Sequence, residues 1–130
     1  GMPYSELKAP EFLPNLVIEQ YGTAQFVHNE PTQRDIDKAE EGLKKIEAII
    51  NSAEYDVVIM EEINVALMYG LLSTERILKI IKNKPETVEL VLTGRYAKKE
   101  IIEAADLVTE MKMIKHYYNQ GVSARKGIEM

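Results

Sequence analysis

Residues 57–60, Val-Val-Ile-Met, run straight into Glu61 and Glu62, and Asn64 follows two residues later. An apolar strand that ends on carboxylates can hold magnesium, directly or through water, and so screen a phosphate. A second carboxylate can order water or a substrate. The bland alternative is that the acids mark where a strand reaches solvent. A second apolar run ends on Thr93-Gly94-Arg95. The arginine fork suits bidentate contact with a phosphate, or with a carboxylate on the same rim.

These residues need elements to carry them. The clearest helix covers residues 32–52. Thr32 can cap it with Asp35 three residues on, as in a capping box. Ile36, Ala39, Leu43, Ile46 and Ile50 recur at spacings of three and four and make one apolar stripe. Glu40 with Lys44, and Glu41 with Lys45, are spaced to pair on its outer face. Gly42 inside it costs about 1 kcal/mol against alanine.

Residues 55–60 read as a strand covered on both faces, because their apolar run does not alternate. A short helix around Val65–Tyr69 follows, then a helix over 73–84 with Ser73 as its cap. Residues 87–95 form another strand, and 98–106 another helix. Two further strands are expected, at Leu16–Gly22 and around Glu110–Ile114. Residues 2–15 are irregular and 23–31 form a loop. Strand alternating with helix predicts one α/β domain over 1–130 with a mostly parallel sheet. Ligands in such sheets sit beyond the carboxyl ends of the strands. Glu61, Glu62 and the Thr-Gly-Arg turn should therefore share one rim.

Composition narrows the classes. The 130 residues are 45% hydrophobic and 28% charged, with a net charge of −5 and no basic stripe, so a nucleic-acid partner is not expected. There is no cysteine, which excludes disulfides, thiolate metal sites and cysteine nucleophiles. No apolar run approaches the roughly 18 residues of a membrane span, and no basic-then-apolar leader is present. A cytoplasmic protein is expected. Seven tyrosines outnumber two phenylalanines; they can line a pocket for a planar ligand or close strand ends.

Five stretches occur in one order: "DVVIMEEINVALMYGLL" (56–72), "VELVLTGR" (88–95), "ADLVTEM" (105–111), Lys115-His116, and "GVSARKGIE" (121–129). Together they resemble the P-loop type of ATP:corrinoid adenosyltransferase. The resemblance is dense over 55–130 and looser over 4–23 and the capped helix. It implies a RecA-like, three-layer P-loop fold and a reaction in which cobalt(I) of a corrinoid takes the 5′-deoxyadenosyl group of ATP and expels triphosphate. Such an enzyme supplies no covalent nucleophile, only positioning and electrostatic stabilisation.

On the matching positions the resemblance implies that Glu61 and Glu62 handle Mg2+ and its waters. Glu62 and Arg95 would serve the reacting triphosphate. Asn64 and Tyr69 would shape the turn or the corrin side, and Thr93 and Gly94 would join them in binding the cofactor. Other roles stay open: Asn64 can cap the short helix, and Arg95 can pair with a rim carboxylate. His116 reads as a cobalt ligand or base, or as a surface residue. His28 reads the same way. Glu110 can be buried against Lys112 or the tail, or solvated.

The chain also departs from the family pattern. P-loop enzymes cradle phosphate with Gly-x-x-x-x-Gly-Lys-Ser/Thr, and none of the seven glycines opens such a turn. The first strand, P-loop and helix of the family are therefore expected to be missing. The chain is then either a fragment of such an enzyme, or a non-catalytic remnant that self-associates or binds a corrinoid or partner. In either case the sheet is expected to close up, or a second copy to fill the gap as a homodimer. Glu61 stands where the family has aspartate; its extra methylene moves the carboxylate by about 1 Å, enough to disturb magnesium geometry. Tyr96-Ala97-Lys98 replaces a segment that commonly holds proline, and Met130 replaces a terminal aromatic.

Overall fold

The computed structural model describes residues 5–22 and 30–128. It divides into two compact units: Tyr21–Val108, and Gly1–Gln20 with Thr109–Met130.

The larger unit holds α1 (Gln33–Ser52), β1 (Val57–Met60), α2 (Ile63–Met68), α3 (Thr74–Asn83), β2 (Glu89–Leu92) and α4 (Lys99–Ala104). β1 and β2 are parallel neighbours, with Val57 opposite Glu89 and Met60 opposite Leu92. The chain thus makes a crossover through α2 and α3 between adjacent parallel strands, the α/β arrangement that the alternating pattern predicts.

Local chemistry sets the helix ends. Thr32 and Asp35 form the reciprocal capping box: Asp35 N–H donates to Thr32 Oγ1 at 3.3 Å, and Thr32 N–H donates to Asp35 Oδ2 at 3.0 Å. This satisfies donors that a helix start leaves free. α1 stops where Ala53 turns left-handed and its N–H returns to the Ile50 carbonyl. Ser73 caps α3 by accepting from Arg76 N–H at 3.3 Å.

The apolar stripes then meet in one core. Leu43 and Ile50 of α1, Val58 and Met60 of β1, Ile63 and Leu67 of α2, Ile77 and Ile80 of α3, Val88 and Ile101 are all buried. Arg76 of α3 bridges to Glu40 and Glu47 of α1, one turn pair apart on the same helix face. Lys38 bonds Glu41 at 2.6 Å, and that hydrogen bond and charge hold the Glu41 carboxyl below its usual range.

Gly42 has a packing reason. A Cβ added there would stand 2.6 Å from Tyr21 Cγ. The ring lies against the bare helix backbone, so the propensity lost at Gly42 is exchanged for close contact.

Three expectations are corrected. Leu16–Gly22 and residues 110–114 are irregular, not strands. Their β-branched and apolar residues favour extended chain, but a strand exists only where a neighbour completes its ladder. Among the described residues the sheet has two strands. The third correction concerns β1. Val58 and Met60 are buried, but Val57 and Ile59 are 52% and 57% exposed. On β2, Val91 is exposed as well. Among the described residues one face of the sheet is therefore open, although the strand reads as covered on both.

In the smaller unit, Ser5–Glu11 and Tyr117–Gln120 are short 3-10 helices. Glu110 is exposed and lies 3.5 Å from Lys112, which settles it as solvated and paired.

Candidate functional site at the strand ends

The carboxyl ends of β1 and β2 are adjacent because the strands are parallel and in register. The ladder extends one step beyond them, where Thr93 N–H donates to the Met60 carbonyl at 3.2 Å. Glu61 and Glu62 leave β1 at this rim, and Thr93-Gly94-Arg95 leaves β2.

Glu62 takes a left-handed backbone, φ 56° and ψ 19°, which a residue with a side chain seldom adopts. The reversal lets the chain turn from β1 directly into α2. Glu62 N–H donates to Thr93 Oγ1 at 2.9 Å. Its carbonyl accepts from Val65 and Ala66 N–H at 3.0 and 3.1 Å, opening α2. Its carboxylate is not used as a helix cap, and both Glu61 and Glu62 are exposed.

Asn64 is the buried polar residue of this rim, 5% exposed. Its backbone N–H donates to the Thr93 carbonyl at 3.2 Å and its Nδ2 to the Gly94 carbonyl at 3.4 Å. Its Oδ1 is buried with no protein donor. Asn64 thus bonds across to β2; the position of the helix cap is held by Glu62. Gly94, at φ 114°, lets this contact form: a Cβ there would stand 3.2 Å from Glu62 Cα and 3.3 Å from Asn64 Cβ.

The structure therefore brings Glu62, Asn64, Thr93 and Gly94 into direct contact, with Glu61 beside them in the chain. Arg95 is exposed, and its guanidinium lies 5.8 Å from the centre of the Tyr96 ring. Among the described residues no carboxylate pairs with it, which answers the rim-partner alternative for Arg95. Tyr69 ends α2, half-buried, with its N–H on the Val65 carbonyl at 3.0 Å.

Two features were not legible in the sequence. Tyr96 is left-handed at φ 64°, two residues after Gly94. Lys98 Nζ donates to Thr74 Oγ1 at 2.9 Å and ties the far end of the turn to the start of α3. Neither residue type announces such a role; a glycine-free left-handed position shows only in three dimensions.

His116 Nδ1 accepts from Tyr118 N–H at 3.0 Å, so the lone pair of that nitrogen is already engaged by the backbone. His28 lies outside the described residues.

Magnesium can be tested against the donor set. Among the described residues no three His, Cys, Asp or Glu side chains cluster as a metal cage. Two adjacent exposed carboxylates are present instead. They fit an ion that keeps its waters and completes its shell with a ligand's phosphates, and not a resident all-protein site.

The family model of the ATP:corrinoid adenosyltransferases BtuR/CobO/CobP matches residues 1–130. A corrinoid adenosyltransferase from a Sinorhizobium species is 40% identical over 97 residues, covering 74% of this chain and 45% of the relative. One from Pseudomonas aeruginosa is 41% identical over 97 residues, covering 75% and 48%. One from Escherichia coli K12 is 28% identical over 81 residues, covering 62% and 41%. The chain spans about half the length of these curated relatives. The family model spans the whole sequence, and the chain belongs to the ATP:corrinoid adenosyltransferase family.

Proposed function

We propose that this chain carries the carboxylate and arginine rim of a corrinoid adenosyltransferase, the side that meets the magnesium and triphosphate of ATP. The observation that carries the reading is the joined strand end: Glu62 and Thr93 in contact at the carboxyl edge of adjacent parallel strands, in a chain matched throughout by the family. Glu61 and Glu62 would hold Mg2+ through its waters. Bound there, the ion would supply charge neutralisation for the leaving triphosphate.

The chain's own residues then divide the work. Arg95, exposed and free of a carboxylate partner among the described residues, takes a phosphate oxygen pair through its fork. Thr93 and Gly94 form the turn on which the nucleotide rests. Asn64 fixes the β1–α2 turn, and Tyr69, at the far end of α2, would shape the corrin side. Cobalt(I) of the corrinoid is the substrate nucleophile. Turnover needs in addition a phosphate cradle of the Gly-x-x-x-x-Gly-Lys-Ser/Thr type, which this sequence does not contain, so on this reading the chain by itself binds Mg-ATP without completing the transfer.

A second reading is favoured by the open sheet face of Val57, Ile59 and Val91. On it, the chain is a non-catalytic module whose exposed apolar surface serves self-association as a homodimer, or binding of a corrinoid or protein partner.

Calorimetric titration of the 130-residue chain with Mg-ATP separates the two, with Glu62→Gln as the control. Saturable heat that weakens in Glu62→Gln supports the adenosyltransferase rim. No heat at millimolar Mg-ATP rejects it and leaves the binding module.

A further inference from the structure

We infer that Thr93 is a positioning residue for Glu62, acting through its hydroxyl on the Glu62 backbone. The reading goes beyond the function proposed above, because it concerns what shapes Glu62 whatever the carboxylate meets.

Thr93 grips the β1–α2 turn at two points. Its Oγ1 accepts from Glu62 N–H at 2.9 Å, and its carbonyl accepts from Asn64 N–H at 3.2 Å. Thr93 is itself fixed, since its own N–H donates to the Met60 carbonyl at the end of the ladder. Glu62 is thus held from both sides, by Thr93 at its N–H and by the first turn of α2 at its carbonyl. A left-handed glutamate is unfavourable unless its surroundings over-determine it. The hydroxyl at position 93 supplies that constraint in the direction the helix cannot.

Gly94 completes the mould. Its missing Cβ leaves the space into which Glu62 Cα and the Asn64 side chain pack. The threonine and glycine of the turn therefore both face the β1–α2 junction. Between them they set where the Glu62 Cα–Cβ bond leaves the backbone, and hence where its carboxylate can reach.

NMR spectroscopy of the 130-residue chain tests this without reference to any ligand. A left-handed residue gives an unusually strong NOE between its own amide and α protons, and a bonded amide exchanges slowly. Wild-type protein should show both at Glu62. Thr93→Val, which keeps the shape and removes the hydroxyl, should lose both, while Thr93→Ser should restore them. A Thr93→Val chain that keeps the strong NOE at Glu62 overturns the inference, as does a wild-type chain in which Glu62 exchanges as fast as the exposed residues beside it. If Thr93→Val does not fold, the wild-type and Thr93→Ser spectra still decide, since both must show the signature.

A second readout links the inference to the proposed site. Where wild-type chain binds Mg-ATP, Thr93→Val should bind about fivefold more weakly and Thr93→Ser within about twofold, as expected for losing and keeping one hydrogen bond. Equal affinity in Thr93→Val would show that the bond does not position Glu62. Absence of binding in the wild type would reject the proposed function and leave the NMR result standing.

Discussion

Gly94 and Asn64 close on one another from different strand ends: the Asn64 Nδ2 reaches the Gly94 carbonyl at 3.4 Å, and any Cβ at Gly94 would lie 3.3 Å from Asn64 Cβ. This contact joins the exits of β1 and β2 and keeps the acidic and basic halves of the rim together. The glycine is required twice there, by its φ of 114° and by the lack of room.

Gly94→Ala should therefore destabilise the chain by about 3 kcal/mol, the sum of backbone strain and a clash with backbone atoms that cannot swing aside. Urea unfolding followed by circular dichroism measures it. A change below about 0.5 kcal/mol would mean the turn relaxes freely and does not lock the rim.

Asn64 offers a finer test, because its two amide atoms differ. Nδ2 is bonded, while Oδ1 is buried with no protein donor. Asn64→Asp replaces the donor with an acceptor facing the Gly94 carbonyl and buries a charge, for a cost of about 3 kcal/mol. Asn64→Leu removes the bond together with the unpartnered oxygen and should cost about 1 kcal/mol. Unfolding free energies in the reverse order would show that Oδ1 is the atom that matters.

Gly42 predicts a reversal of sign. Helix propensity alone says that Gly42→Ala should stabilise α1 by about 1 kcal/mol. The Tyr21 ring, 2.6 Å from the added methyl position, should instead make it destabilising by about 1–2 kcal/mol. In a Tyr21→Ala background the ordinary stabilisation should return. Thermal unfolding of the four proteins completes the cycle, and additive effects would refute the contact.

How far the sequence went depends on the range of the forces involved. The capping box at Thr32, the Ser73 cap and the apolar stripes of α1 and α3 are settled within a few residues, by hydrogen bonds and periodicity that the chain carries locally. These were legible, as was the parallel pairing that puts Glu61 and Glu62 beside Thr93. The motif order was specific enough to place the chain in its family, since many short matches in sequence rarely coincide.

Strand status was not local. Residues 16–22 and 110–114 have strand-like composition but no ladder among the described residues, and Val57 and Ile59 look like core yet lie exposed. A strand and a buried face are properties of what stands alongside, which a single segment does not encode.

The sequence by itself determined which side chains reach the rim: two carboxylates, an amide, a hydroxyl, a glycine and an arginine. Only the tertiary structure decided how they are connected. The left-handed turn at Glu62, the hydroxyl of Thr93 bonded beneath it, and the glycine gap filled by Asn64 all join residues about thirty positions apart. Such contacts arise when parallel strands come into register, and no spacing along the chain announces them.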